Sequence, residues 1–140
     1  MINKKFDIAH IDIINTKIDY YSLDVLKAEV YPFEGDEAKT YIKDDRIIFA
    51  CGIKTFREGA GHCWVIPSVY VDDYAKSFYQ EINFLLETYA KKMKLHRIQT
   101  TISEPFVKWI EALGFKRESV LKHITHDKKD EYMYVKFFEI

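Results

Sequence analysis

An α+β fold is predicted here, with a mixed, mostly antiparallel central sheet of six to seven strands layered on one long central helix; three observations predict it. Between Thr40 and Val71, runs of β-branched and aromatic residues are divided by turn signals, Asp44-Asp45 and Glu58-Gly-Ala-Gly61, as antiparallel hairpins require. Residues 72–94 then carry Phe78, Ile82, Leu85, Leu86, Tyr89 and Met93 at three- and four-residue intervals, the spacing of one buried helix face. Residues 95–102 follow as a strand with Ile98, Thr100 and Ile102, where the right-handed crossover of a β-α-β unit places one.

The elements follow in order. Residues 6–14 begin with alternating side chains, a short edge strand running into irregular or helical structure. Residues 22–30 place Leu23, Leu26 and Val30 at helical spacing behind Ser22, and Pro32 forbids continuation, so an N-terminal helix is expected. Residues 33–37, with Gly35 and three acids, read as a solvated loop. Strands are expected over 40–43, 46–55 and 62–71, the last bulged or unpaired near Pro67, which has no N–H to give a ladder. Asp72 or Asp73 can cap the long helix. Ser103 is expected to cap the next helix, a short C-terminal one, with Pro105 in its first turn and Gly114 at the left-handed position after its end. Residues 115–125 and 132–138 close the chain as a hairpin around a polar turn at 126–130.

Composition bounds the rest. A chain of 140 residues with 48% apolar and 16% aromatic content is the size of one domain with a sizeable core, so residues 1–140 are expected to form a single domain. Twenty-one basic residues against twenty-two acidic ones give a net charge of −1, which argues against a broad nucleic-acid or anionic-membrane footprint. No apolar run approaches the ~20 residues of a membrane span, and the N-terminus lacks the apolar core of a secretion signal. The expectation is a protein that stays in a cytoplasm or is packaged from one. Cys51 and Cys63 fit no zinc or redox spacing and read as reduced core residues. His123 and His126, near Asp127 and Asp130, read as a solvated hairpin end, since strand geometry spreads such ligands apart; no metal site is expected.

The element order and the ending Leu113-Gly-Phe-Lys-Arg-Glu118 resemble the GNAT superfamily of acyl-CoA N-acyltransferases over nearly the whole chain. The resemblance implies a GNAT-like domain in which the strand over 62–71 bulges and splays from that over 95–102, with the pantetheine arm of acetyl-CoA between them. It also implies a pyrophosphate held by backbone amides at the start of the long helix, where glycines permit close approach. Here that turn has no glycine: Asp73-Tyr-Ala-Lys-Ser-Phe-Tyr79 brings acids and bulk, and Phe78 or Tyr79 is expected to fill the pyrophosphate position. The tyrosine that many members keep four residues before the Gly of the Gly-Phe pair, as proton donor to the departing thiolate, is matched by Ile110, which can donate nothing.

A narrower resemblance joins the chain to GNAT-like internal virion proteins of short-tailed bacteriophages, which also lack the glycine loop. It rests on Asp24-Val-Leu-Lys-Ala28, on Cys63-Trp64 and on the degenerate terminal helix. The leading expectation is therefore a phage-type binding or assembly protein with a degenerate acetyl-CoA site, needing no cofactor and partnered by virion protein or by itself. The alternative is an active N-acetyltransferase moving an acetyl group from acetyl-CoA to a primary amine. On that reading His62 or Glu104 accepts the proton, Val69 and Val71 line the pantetheine strand, Lys76 and Ser77 hold phosphate, and main-chain amides over 64–69 polarise the thioester carbonyl. A third reading, a nucleic-acid-binding module, draws on Lys91, Lys92, Lys94, His96 and Arg97 and is opposed by the near-zero charge.

Overall fold

Two aspartates close the first hairpin in the computed structural model, which describes residues 1–7, 9–14 and 37–139. Asp44 and Asp45 both adopt left-handed backbone, φ 52° and 60°, as a two-residue turn between twisted strands demands and as Asp tolerates better than most side chains. They join β2 (Glu37–Lys43) to β3 (Arg46–Arg57), paired antiparallel from Glu37–Ile53 to Lys43–Arg46 with a bulge between Tyr41 and Ile42. The helix expected over 22–30 lies outside the described residues, as does the expected loop up to 36; Glu37 already belongs to β2.

β1 (Ile2–Lys5) pairs with β2 from Ile2–Ile42 to Lys5–Lys39. The N-terminal strand thus precedes Phe6 instead of starting there. Phe6 is buried, its ring edge-on to Trp64 at 4.8 Å, and a single helical turn, α1 (His10–Ile13), follows. Burial of one aromatic outweighs a weak alternation signal.

By its contacts the chain divides into two compact units, Met1–Lys54 with Cys63–Leu85, and Thr55–His62 with Leu86–Ile140. In the first, Tyr41 stacks on Phe49 at 4.3 Å and Phe49 meets Phe78 edge-on at 4.8 Å, among the buried Ile48, Ile53, Ile66 and Ile82. Gly52 is required here because a Cβ would lie 2.7 Å from the Trp64 indole. β4 (Ala60–Pro67) ends at its proline, earlier than the expected residue 71. A 3-10 turn (Val71–Tyr74) intervenes before the long helix, α2 (Ala75–Lys92), so the helix starts three residues later than its apolar period suggested.

In the second unit the first residues of β4 pair in parallel with β5 (Arg97–Ile102), as Ala60–Arg97, Gly61–Ile98 and His62–Gln99. β5 pairs antiparallel with β7 (Glu131–Phe137), and β7 with β6 (Lys116–Leu121). Between β5 and β6 lie a 3-10 turn (Glu104–Phe106) and α3 (Val107–Ala112), closed by Gly114 at φ 88° as the sequence led one to expect. β6 stops at Leu121 rather than 125. His123 and Lys128 take left-handed backbone, the His123 N–H donates to Asp130, and Thr125 bonds Asp127 and Lys129, so residues 122–130 form a bonded loop. Among the described residues the strand order is β1-β2-β3-β4-β5-β7-β6, one mixed and mostly antiparallel sheet of seven strands. It is the α+β fold read from the sequence. No helix among the described residues is long and apolar enough to cross a membrane.

Candidate functional site

The connection from β4 to α2 is wound tightly by its own hydrogen bonds. Ser68 is fully buried; its N–H donates to the Ile48 carbonyl at 2.9 Å, which extends the β3–β4 contact one residue past Pro67. Its hydroxyl oxygen accepts the Tyr70 N–H at 3.2 Å and its carbonyl accepts the Val71 N–H at 3.2 Å, while the Tyr70 carbonyl accepts the Asp73 N–H at 3.1 Å. A glycine-rich anion loop works by pointing successive N–H groups outward. Here those of Ser68, Tyr70, Val71 and Asp73 are already engaged.

The residues expected to bind an acyl carrier divide accordingly. Val69 is 46% exposed, whereas Val71 is a core residue at 1%. Lys76 is exposed and Ser77 half-buried, adjacent on the first turn of α2, where an ammonium, a hydroxyl and the positive end of the helix dipole suit a phosphate. Exposed Asp72 and Asp73 stand one turn earlier and oppose that charge.

Of the two side chains expected to fill the phosphate position, Phe78 or Tyr79, helix phase turns Phe78 inward. Phe78 is 4% exposed and its ring packs on Phe49, so it belongs to the same buried face as Ile82, Leu85 and Leu86. Tyr79 stays half-buried, edge-on to Phe78 at 5.6 Å, with its hydroxyl pKa raised by burial and by Asp72.

In the second unit His62 is half-buried, and burial drives its pKa down to about 4, so the imidazole is neutral at pH 7 and able to accept a proton. Its neighbour Cys63 is pushed up to about 12 by burial, and Cys51 is raised too. Both are free, buried thiols, as expected of core residues, and neither is a thiolate nucleophile.

Glu104 is exposed and accepts a hydrogen bond from the Tyr132 hydroxyl, the main cause of that tyrosine's raised pKa. Arg117 lies 3.9 Å from the Tyr132 ring centroid, and its Nε donates to the Tyr134 hydroxyl at 3.2 Å; that hydroxyl donates to Glu111 at 3.0 Å. Sequence reading missed this tyrosine pair. The signal was its spacing of two on a strand, which puts both side chains on one face. Ile110 is buried, as its apolar character dictates. Ser103, expected as a helix cap, makes no such bond: its hydroxyl donates to Glu131 Oε2 at 3.0 Å, since β7 brings a carboxylate within reach. Among the described residues no three side chains are grouped to hold a metal ion.

This strand order, with a long helix after the fourth strand and a short one after the fifth, defines the GNAT fold. No family model matches the sequence, and no curated protein matches it. Solved structures do share the fold. Ard1 from Thermoplasma volcanium superposes with a TM-score of 0.78 at 7% identity, covering 99% of this chain and 98% of its own. A spermidine N-acetyltransferase SpeG chimera from Vibrio cholerae gives 0.68 at 15% identity, covering 98% and 96%. A GNAT-family acetyltransferase from Bacillus anthracis gives 0.67 at 19% identity, covering 96% and 93%. The likeness to the virion proteins finds no counterpart in these comparisons.

Proposed function

We propose that this chain is an N-acetyltransferase that moves an acetyl group from acetyl-CoA to a primary amine. The observation that carries the reading is the Phe78 ring, which packs on Phe49 and leaves the first turn of α2 to Lys76 and Ser77. The assembly role that led on sequence grounds rested on the missing glycines, on Phe78 or Tyr79 filling the phosphate position and on Ile110 in place of the tyrosine, and burial of the Phe78 ring removes one of these supports. The likeness of the fold to a spermidine N-acetyltransferase and to a GNAT-family acetyltransferase supports the same preference.

In this reading Lys76 and Ser77 hold the diphosphate, and the exposed Val69 side chain borders the pantetheine strand. The incoming ammonium must lose one proton before the amine lone pair attacks the thioester carbon, a proton that a neutral imidazole such as that of His62 can accept, and the adduct nitrogen then gives its second proton to solvent. The carbon–sulfur bond then breaks and the thiolate takes a proton from solvent, since Ile110 has none to give. Asp72 and Asp73 set the affinity for the carrier low.

Calorimetric titration with acetyl-CoA, followed by an assay of free thiol with spermidine and N-terminal peptide amines as acceptors, tests the reading. Saturable heat and amine-dependent thiol release are expected, with tighter binding when Asp72 and Asp73 are both changed to Asn. No heat at millimolar acetyl-CoA would end the proposal.

A further inference from the structure

The tip of the β2–β3 hairpin grips the turn that leads into α2. Tyr74, the last residue of the 3-10 turn, donates its hydroxyl proton to Asp44 Oδ2 at 2.5 Å. Arg46 places its guanidinium 4.6 Å from the Tyr70 ring centroid, and Lys43 its ammonium 5.8 Å from that of Tyr74. Three hairpin side chains thus hold two tyrosines that bracket Val71, Asp72 and Asp73. The grip has a rigid anchor, because left-handed Asp44 and Asp45 fix where the carboxylate points.

The consequence concerns the backbone donors. While the turn is held, the Tyr70, Val71 and Asp73 N–H groups stay on Ser68 and Tyr70 oxygens. They are the groups that an anion-binding turn would offer at this place. We propose that the hairpin tip is an autoinhibitory latch: by fixing Tyr74 and Tyr70 it keeps the β4–α2 turn wound and its amides withheld from phosphate. The inhibitory role rests on the transferase reading above, whereas the mechanical latch does not.

The contacts lie at the surface, where single hydrogen bonds and cation–π pairs are weak. The latch is therefore poised to open, not locked. Displacement of Tyr74 from Asp44 by a ligand, a partner or a modified hydroxyl would free the turn.

Two variants break it from opposite sides. Tyr74→Phe removes one hydroxyl, and Asp44→Gly removes the carboxylate while keeping a residue that tolerates φ 52°. Amide hydrogen exchange over residues 69–76 should accelerate about three- to tenfold in each, and no further in the double variant, because both remove the same bond. Acetyl-CoA should bind about three- to tenfold more tightly to each than to the parent chain. Unchanged exchange in both variants would overturn the latch and leave the transferase reading standing. Faster exchange with weaker acetyl-CoA binding would overturn its inhibitory sign. Faster exchange in chains that bind no acetyl-CoA at all, parent included, would support the mechanical latch and refute the transferase reading instead.

Discussion

The chain passes from strand to helix twice by the same local device, and the two passages end differently. After β4 and after β5 there is a serine, then a 3-10 turn, then an α-helix, with a proline beside the serine in one case and two residues beyond it in the other. Ser68 turns its hydroxyl oxygen to the local backbone and accepts the Tyr70 N–H, winding the turn on itself. Ser103 sends its hydroxyl to Glu131 on another strand, tying the turn outward. The first connection feeds eighteen helical residues and the second six. A serine before a helix is thus an option on several bonds. Which one it makes depends on what lies opposite: a buried β3 carbonyl that pins Ser68, or a carboxylate from β7 in reach of Ser103.

The sharpest way to break this comparison is to remove the anchor beneath each helix. Phe78→Ala should lower unfolding free energy by about 3–5 kcal/mol and Ile110→Ala by somewhat less, about 2–4 kcal/mol, in urea titrations. A loss below about 1 kcal/mol for Phe78→Ala would mean that the ring is not core and would revive the blocked-site expectation.

Next in size is the strand that feeds the first connection. His62 has an ordinary pKa of 6.5 and a folded value of about 4. The unfolded chain therefore binds the proton more readily, and the stability His62 contributes is complete above pH 6.5 and is lost as pH falls from there through about 4. The parent should lose stability across that window more steeply than His62→Gln, by at most about 1.4 kcal/mol per pH unit. Matching slopes would show that the imidazole is solvated. In the transferase assay the acid limb assigned to His62 should fall near pH 4, not 6.5.

Gly114, which ends the helix that the second connection feeds, comes third. It stands at φ 88° with Lys136 Nζ 3.4 Å from where a Cβ would be. Gly114→Ala should cost about 1–2 kcal/mol, read as a lower thermal midpoint.

The smallest effect bears most directly on the two serines. Ser68→Ala strands a Tyr70 N–H and should cost about 1 kcal/mol, whereas Ser103→Ala frees a carboxylate that water can solvate and should cost under about 0.5 kcal/mol. Equal losses would erase the distinction drawn between the two turns.

Much of the fold was legible because it depends on periodicity and turn chemistry, which are local. The Asp44-Asp45 turn, the apolar stripe of α2 and Gly114 each state a backbone requirement that few other residues meet. Boundaries were less legible. β4 stops at Pro67, and residues 71–74 wind as a 3-10 turn, because Ser68 bonds to Ile48, a partner twenty residues away. β1 escaped notice because all four of its side chains are exposed, so it carries no alternation to read. Of the candidate site, Lys76, Ser77 and His62 could be named from residue type and order. The direction of Phe78, the neutrality of His62 and the Tyr132–Tyr134 pair could not.

The sequence alone determined the Asp44-Asp45 hairpin, the buried stripe of α2 and the glycine that ends α3, because short-range sterics and hydrophobic spacing are written in neighbouring residues. Only the tertiary structure decided that Phe78 faces Phe49, that burial keeps His62 uncharged, and that Tyr74 is held by Asp44. Each of these is a contact between residues far apart in the chain, and its energy comes from desolvation or a hydrogen bond that exists only once the fold has brought the partners together.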